Sequence, residues 1–286
     1  MIETKMNKDR HIFETLGKAR VVVENGKVVE VGKPLLKYCP LWEKIQGIKE
    51  LNEKVIKENI EFRIQDFGMC TADREVEMDA FVGFGASETF MTALRRGLLD
   101  ATVTVCEGAG TVITSNHALV QGIGARLSGV IETTPVEGII KKIKAKGGEI
   151  LDTPRIDQAA GLRMALELGY KKAGVTASTR EEAEKCRAIS KQAVIFGVHL
   201  TGISGKDAQE FCEIADMITA CASSEIRELA KEKAILQAGT AIPIFALTPT
   251  GKELLLERAK EVEGTLLLNT MRLPVLPEER QPYPLV

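Results

Sequence analysis

The residues best equipped for chemistry are cysteines. The chain has six, Cys39, Cys70, Cys106, Cys186, Cys212 and Cys221. Four stand beside loops, in YCPL, FGMCTADR, VCEGAG and TACASS. Thiolates brought together from four loops hold an iron–sulfur cluster or zinc, so Cys39, Cys70, Cys106 and Cys221 are expected as metal ligands, with an iron–sulfur cluster the first candidate cofactor. None forms a C-x2-C unit, so only folding can bring them together. The same spacing also fits separate buried thiols, or a redox or nucleophilic pair. Cys186 and Cys212 have Ala183 and Ile189, and Ala208 and Ala215, at helical spacing, and read as small buried hydrophobes.

His199, in GVHLTGIS, follows an apolar run at the carboxyl end of an expected strand and is the leading general acid–base candidate. Glu107 is expected as its carboxylate partner, with Glu88 and Asp157 as further carboxylates. His11 reads as a solvated residue of a first helix, and His117 opens a later one. The loops FGASET, CEGAGT, ETTP, TASTRE, HLTGISGKD and CASSE are rich in glycine and hydroxyls. Their amides and hydroxyls suit a small anionic ligand, which makes Ser87, Glu88, Gly108, Gly110, Thr111, Thr201 and Ser204 candidate binding residues, with Arg74 and Arg126 as charged partners. Helix caps and tight turns use the same residue types. CEGAGT is neither G-x-G-x-x-G nor a P-loop, and GIGARLSG continues an amphipathic helix, so no dinucleotide fingerprint is present.

The elements that must position these residues follow from hydrophobic patterning. In RVVVENGKVVEVG, Asn25-Gly26 between β-branched runs predicts a hairpin with a type I′ turn. LWEKIQGIKELNEKVIKEN predicts one helix, and IEFRIQD a strand. From about residue 79, strand-like runs (AFVGFG, ATVTVC, GVIET, GEILD, KAGVTAS, AVIFGVHLT, MITACAS, IPIFALT) alternate with amphipathic helices. Buried, non-alternating strands covered by helices predict an α/β fold: a mostly parallel, doubly wound, Rossmann-like three-layer sheet, with the small N-terminal hairpin and helix as an added unit. A (β/α)8-type barrel is the alternative. Residues 79–264 give about 23 residues per strand–helix unit, tight against the ~250 residues such barrels use. The expected divisions are residues 1–75, 76–270 and a proline-rich tail, 271–286. The tail is expected to pack on the domain or cross to a second copy in a homodimer.

Apolar residues make up 44% and charged residues 27%, with a formal net charge of −2. These values exclude a disordered or fibrous chain and argue against nucleic-acid or membrane-surface binding. No apolar run reaches signal-peptide or membrane-span length, so a cytoplasmic location with reduced thiols is expected. Three functions remain: a cysteine-ligated metal protein, a metal-free enzyme for a small phosphorylated or carboxylated metabolite, and a non-catalytic scaffold that would expose Leu266, Leu267, Leu268, Leu273 and Val275.

The segments KARVVVENGKVVEVG, IEFRIQDFGMCTADR, GLLDATVTVCEGAGTV, LVQGIGARLSG, GVHLTGIS, ADMITACAS and LQAGTAIPIFALT resemble the methanogenesis marker protein 8 family of archaea, over about residues 10–260. The resemblance implies a methanogenic context: maturation of methyl-coenzyme M reductase or the making of a methanogenic cofactor, with an enzyme or assembly factor of that pathway as partner. It carries no catalytic residues over, and its anaerobic setting favours the iron–sulfur expectation.

Overall fold

The computed structural model describes residues 9–125 and 129–286. In chain order the elements are β1 (Arg10–Thr15), β2 (Ala19–Glu24), β3 (Lys27–Val31), α1 (Pro40–Gln46), α2 (Glu53–Phe67), α3 (Ala86–Arg95), β4 (Ala101–Cys106), β5 (Gly110–Thr114), α4 (His117–Gly124) and β6 (Gly129–Thr133). There follow α5 (Glu137–Ala145), β7 (Glu149–Ile150), α6 (Gln158–Glu167), β8 (Ala173–Ala177), α7 (Arg180–Ile189), β9 (Val194–Gly197), α8 (Gly205–Ile214), β10 (Met217–Thr219), α9 (Ser224–Lys233), β11 (Leu236–Ala238), β12 (Ile244–Ala246) and α10 (Pro249–Ala259). None of the helices is long and apolar enough to cross a membrane among the described residues.

The strands form two sheets. The larger has the order β11-β12-β10-β9-β8-β4-β5-β7. Its centre, β10-β9-β8-β4, is parallel. Both flanks are antiparallel. The fold is therefore mixed α/β rather than mostly parallel. The parallel strands run in sequence order without a reversal, so a doubly wound switch point is absent among the described residues. The sheet is open, ending at β11 and β7, and does not close into a barrel.

Alternate strand residues face opposite layers. Val103, Val175, Ile195 and Ile218 pack with Leu162, Phe211 and Ile226 of α6, α8 and α9. Phe196 and Met217 face the other way, against Phe90, Val120 and Leu254 of α3, α4 and α10. Phe90 and Phe196 meet edge to face, with centroids 5.8 Å apart, an arrangement aromatic quadrupoles favour.

The smaller, antiparallel sheet has the order β3-β2-β1-β6. The expected hairpin is present as β2 and β3, with Asn25 and Gly26 both at positive φ. Its β6 comes from the middle of the chain and pairs with β1. GVIET therefore does not join the large sheet, and the small sheet is not built from N-terminal residues alone.

Three local expectations change for identifiable reasons. LWEKIQGIKELNEKVIKEN is two helices, broken where Gly47 caps α1 at positive φ and Asn52 caps α2. IEFRIQD continues α2, because Ile56, Ile60, Arg63 and Phe67 form the buried stripe while Phe62 is exposed. AFVGFG is loop, since its backbone serves side chains. The Phe81 and Val82 amides donate to Glu88, and the Val82 and Gly83 carbonyls accept from Arg258.

Candidate functional site

At the carboxyl ends of β4, β8 and β9 lies a cavity of about 120 Å3. Its polar wall comprises Ser87, Thr104, Gln158, Thr176, Ser178, Glu182 and His199. This is where loops and helix N-termini converge in a parallel sheet. Several groups are already committed. Gln158 donates to the Thr176 carbonyl (2.7 Å) and accepts from Thr111 (2.9 Å). Glu182 accepts from Ser178 and closes a capping box with Thr179 at the start of α7.

His199 is uncommitted. It has left-handed backbone, φ 60°, which an L residue adopts only at a cost of about 1–2 kcal/mol. Its ring packs over Gly129 of β6, where an added Cβ would lie 3.3 Å from Cγ. Protein surrounds the imidazole and, by desolvation, lowers its pKa to about 4. The side chain nevertheless remains exposed, as a residue lining a solvent-reached cavity does. It is a neutral ring at neutral pH with no hydrogen bond to another described residue.

The structure brings His199 and Ser87 together and puts the remaining expected residues elsewhere. CEGAGT is the turn of the β4–β5 hairpin, with Cys106 opposite Gly110. Gly110 has φ 74°, and a Cβ there would meet the Arg155 carbonyl oxygen at 2.5 Å. A Cβ on Gly108 would strike Ile139. This loop is packed shut and does not form an anion cradle. Thr111 bridges Gln158 and the Asp157 amide. Thr201 accepts from the Ala222 amide, and Ser204 caps α8. Glu88 is buried and holds Ser87, Gln121 and the 81–82 backbone. Asp157 caps α6. Arg126 lies outside the described residues.

Glu107 is fully buried. Its Oε1 accepts from Arg74 Nε at 2.6 Å. Arg74 also donates to the Glu75 and Gly122 carbonyls and stacks on Phe67. Charge balance and donor count make this pair a structural clamp between the 68–75 loop, the β4–β5 turn and α4. His11 is likewise not solvated. It lies in β1, fully buried, with Nδ1 2.7 Å from Thr133 Oγ1 and Nε2 2.7 Å from Asp9 Oδ1. Burial lowers its pKa, with Asp9 and Glu107 opposing.

The four loop thiols are placed as electrostatic neighbours in two couples. Cys70 and Cys106 are both buried near Glu107. Cys39 feels half-buried Cys221. Desolvation pushes Cys39, Cys70 and Cys106 up, Cys70 and Cys106 well up, so these thiols are protonated. Among the described residues no three His, Cys, Asp or Glu side chains form a group that could hold a metal ion. Cys186 and Cys212 are buried in α7 and α8.

Sequence reasoning did not single out Thr104, Gln158 or Glu182, and did not name Thr176 or Ser178 individually. Thr176 and Ser178 fall within the TASTRE strand end already singled out. The β4–β5 hairpin also had a signal, ATVTVC and GTVIT separated by three residues containing glycine.

A family model described as an uncharacterized protein conserved in archaea (DUF2099) matches residues 11–260. An uncharacterized protein of Methanocaldococcus jannaschii is 51% identical over 284 residues, covering 97% of this chain and all of that protein. No solved structure matches.

Proposed function

We propose, from the premise that the chain belongs to this conserved archaeal family, that it is an enzyme using acid–base chemistry on a small polar metabolite. The substrate is held where β4, β8 and β9 end. The observation that carries this reading is the His199 imidazole, neutral, unbonded and open to the cavity. An imidazole so placed accepts a proton from a substrate O–H, N–H or activated C–H and returns it to the leaving or product atom. The parallel centre of the large sheet supports the same location, since loops and helix N-termini converge beyond the carboxyl ends of such strands. The resemblance to the methanogenesis marker protein 8 family supports a substrate from the making of a methanogenic cofactor or the maturation of methyl-coenzyme M reductase.

The test is depletion. Wild-type protein and His199→Gln are incubated with a protein-free metabolite extract of a methanogenic archaeon and followed by mass spectrometry. Wild type should convert a compound that His199→Gln converts at least ~100-fold more slowly. Equal conversion by both, or none by either, removes the reading.

A partner-binding role has one observation in its favour: Leu266, Leu267 and Leu268 are 44%, 87% and 78% exposed. Leu273 and Val275 are half-buried and do not extend that surface. Replacing Leu267 and Leu268 with Asp should leave the depletion assay unchanged if catalysis is the function.

A further inference from the structure

The cavity has a second end with its own chemistry. Helix α3 begins there, and Ala86 and Ser87 line the wall. The helices α2, α4, α6, α7, α8, α9 and α10 each start with a side chain accepting from a first-turn amide. Helix α3, like α1 and α5, starts without one; its first residue is preceded by Gly85, which has no side chain to offer. The amides of a first helical turn have no intrahelical acceptor, and the macrodipole makes that end attractive to negative charge. No residue other than glycine fits at 85 without moving Glu88, whose Oε2 would lie 2.2 Å from a Cβ there. The uncapped start is thus fixed by the packing of a carboxylate held by Ser87, Gln121 and two backbone amides.

Independently, Thr104 lines the same cavity from β4. It is only 5% exposed, and its hydroxyl has no hydrogen-bond partner among the described residues. A buried hydroxyl without a partner costs free energy unless something supplies one. Phe90, Val120 and Gly124, which line the cavity with it, carry no polar side chain to pair with it, which leaves the cavity as the source. Donors from an uncapped helix start and from an orphan hydroxyl lack the same thing, an acceptor oxygen. An oxyanion supplies several acceptor oxygens, whereas Glu88, the carboxylate already in this turn, is spent on Gln121, Ser87 and the 81–82 amides.

The geometry points to an oxyanion subsite in this cavity, formed by the α3 N-terminus and the Thr104 hydroxyl, that holds the carboxylate or phosphate of the substrate while His199 faces its reacting part. This rests on the reading of the cavity as a substrate site and adds the substrate's chemical class. Gly108, Gly110 and Thr111, expected from the sequence to bind such an anion, play no part in it.

The experiment is a titration of the purified chain with acetate and, separately, with inorganic phosphate, followed by backbone amide NMR shifts. One of the two should saturate with its largest shifts at Ala86, Ser87 and Thr104; which one does assigns the group as carboxylate or phosphate. Thr104→Val, nearly the same shape without the hydroxyl, should bind at least ~10-fold more weakly, while Thr104→Ser retains binding. His199→Gln should bind the anion as wild type does, even though it loses turnover. Saturation centred elsewhere, no saturation by either anion, or unchanged affinity in a folded Thr104→Val overturns the subsite. If Thr104→Val does not fold, the shift map of the wild type decides alone. Failure of the acid–base reading looks different: the anion binds at these residues and His199→Gln leaves metabolite turnover intact.

Discussion

A histidine whose environment favours the neutral ring leaves a signature in pH dependence. Desolvation lowers His199 to about 4 from 6.5. Between those values the unfolded chain binds a proton that the folded one refuses, so stability is full above about 6.5 and falls as pH drops toward 4. Buried His11 is lowered as well and adds to the same acid limb. His199→Gln should therefore flatten part of the loss of stability between these pH values, read as denaturation midpoints across pH. An unchanged slope would mean that the ring is not held neutral. Turnover should likewise show no break near 6.5. Glu107 belongs to the clamp. Glu107→Gln leaves the Arg74 charge buried without its counterion, which typically costs about 3–5 kcal/mol. Urea unfolding should register that loss, whereas a carboxylate acting only in catalysis would leave stability near wild type.

At the scale of elements, the β4–β5 hairpin and the α3 start do the positioning. The hairpin needs Gly110 twice over, for a left-handed backbone and for close approach to the Arg155 backbone. Gly110→Ala should destabilise by more than ~1 kcal/mol, the left-handed penalty alone, with the contact adding to it. A cost near zero in thermal unfolding would contradict the close approach. Glu88 ties α3, α4 and the 81–82 loop with hydrogen bonds from Gln121, Ser87 and two amides. Glu88→Ala strands those donors and should cost about 2–4 kcal/mol. Its activity should then recover at temperatures where the variant is folded, a split that separates a positioning role from a chemical one.

Across the whole molecule the two sheets are joined by long-range contacts, and the tail closes on its own chain. Lys18 of the small-sheet region donates to the Thr201 carbonyl after β9. The Val286 amide donates to Ala222, and its carbonyl accepts from Ser224. Tyr283 stacks on Tyr38 with centroids 5.2 Å apart. Gln281 accepts from buried Arg227. Removing residues 275–286 strips these partners and should lower Tm by about 5 °C or more. An unchanged Tm would show the strap to be passive.

The sequence alone determined the hairpin, through Asn25-Gly26, and the alternation that makes an α/β chain. It also determined the strand-end position of His199, because these follow from local periodicity and turn chemistry. Short apolar runs were where it misled. IEFRIQD and AFVGFG satisfy strand patterning, and only the buried stripe of α2 and the side chains of Glu88 and Arg258 decide otherwise. Tertiary structure also decided which polar residues are free. Glu88, Glu107, Thr111, Thr201 and Ser204 look available in sequence and are consumed by partners distant in the chain or by the helix starts they hold. Thr104, inconspicuous in a β-branched run, is left without one. Whether a donor or acceptor is satisfied depends on groups tens of residues away, and no spacing within the chain encodes that.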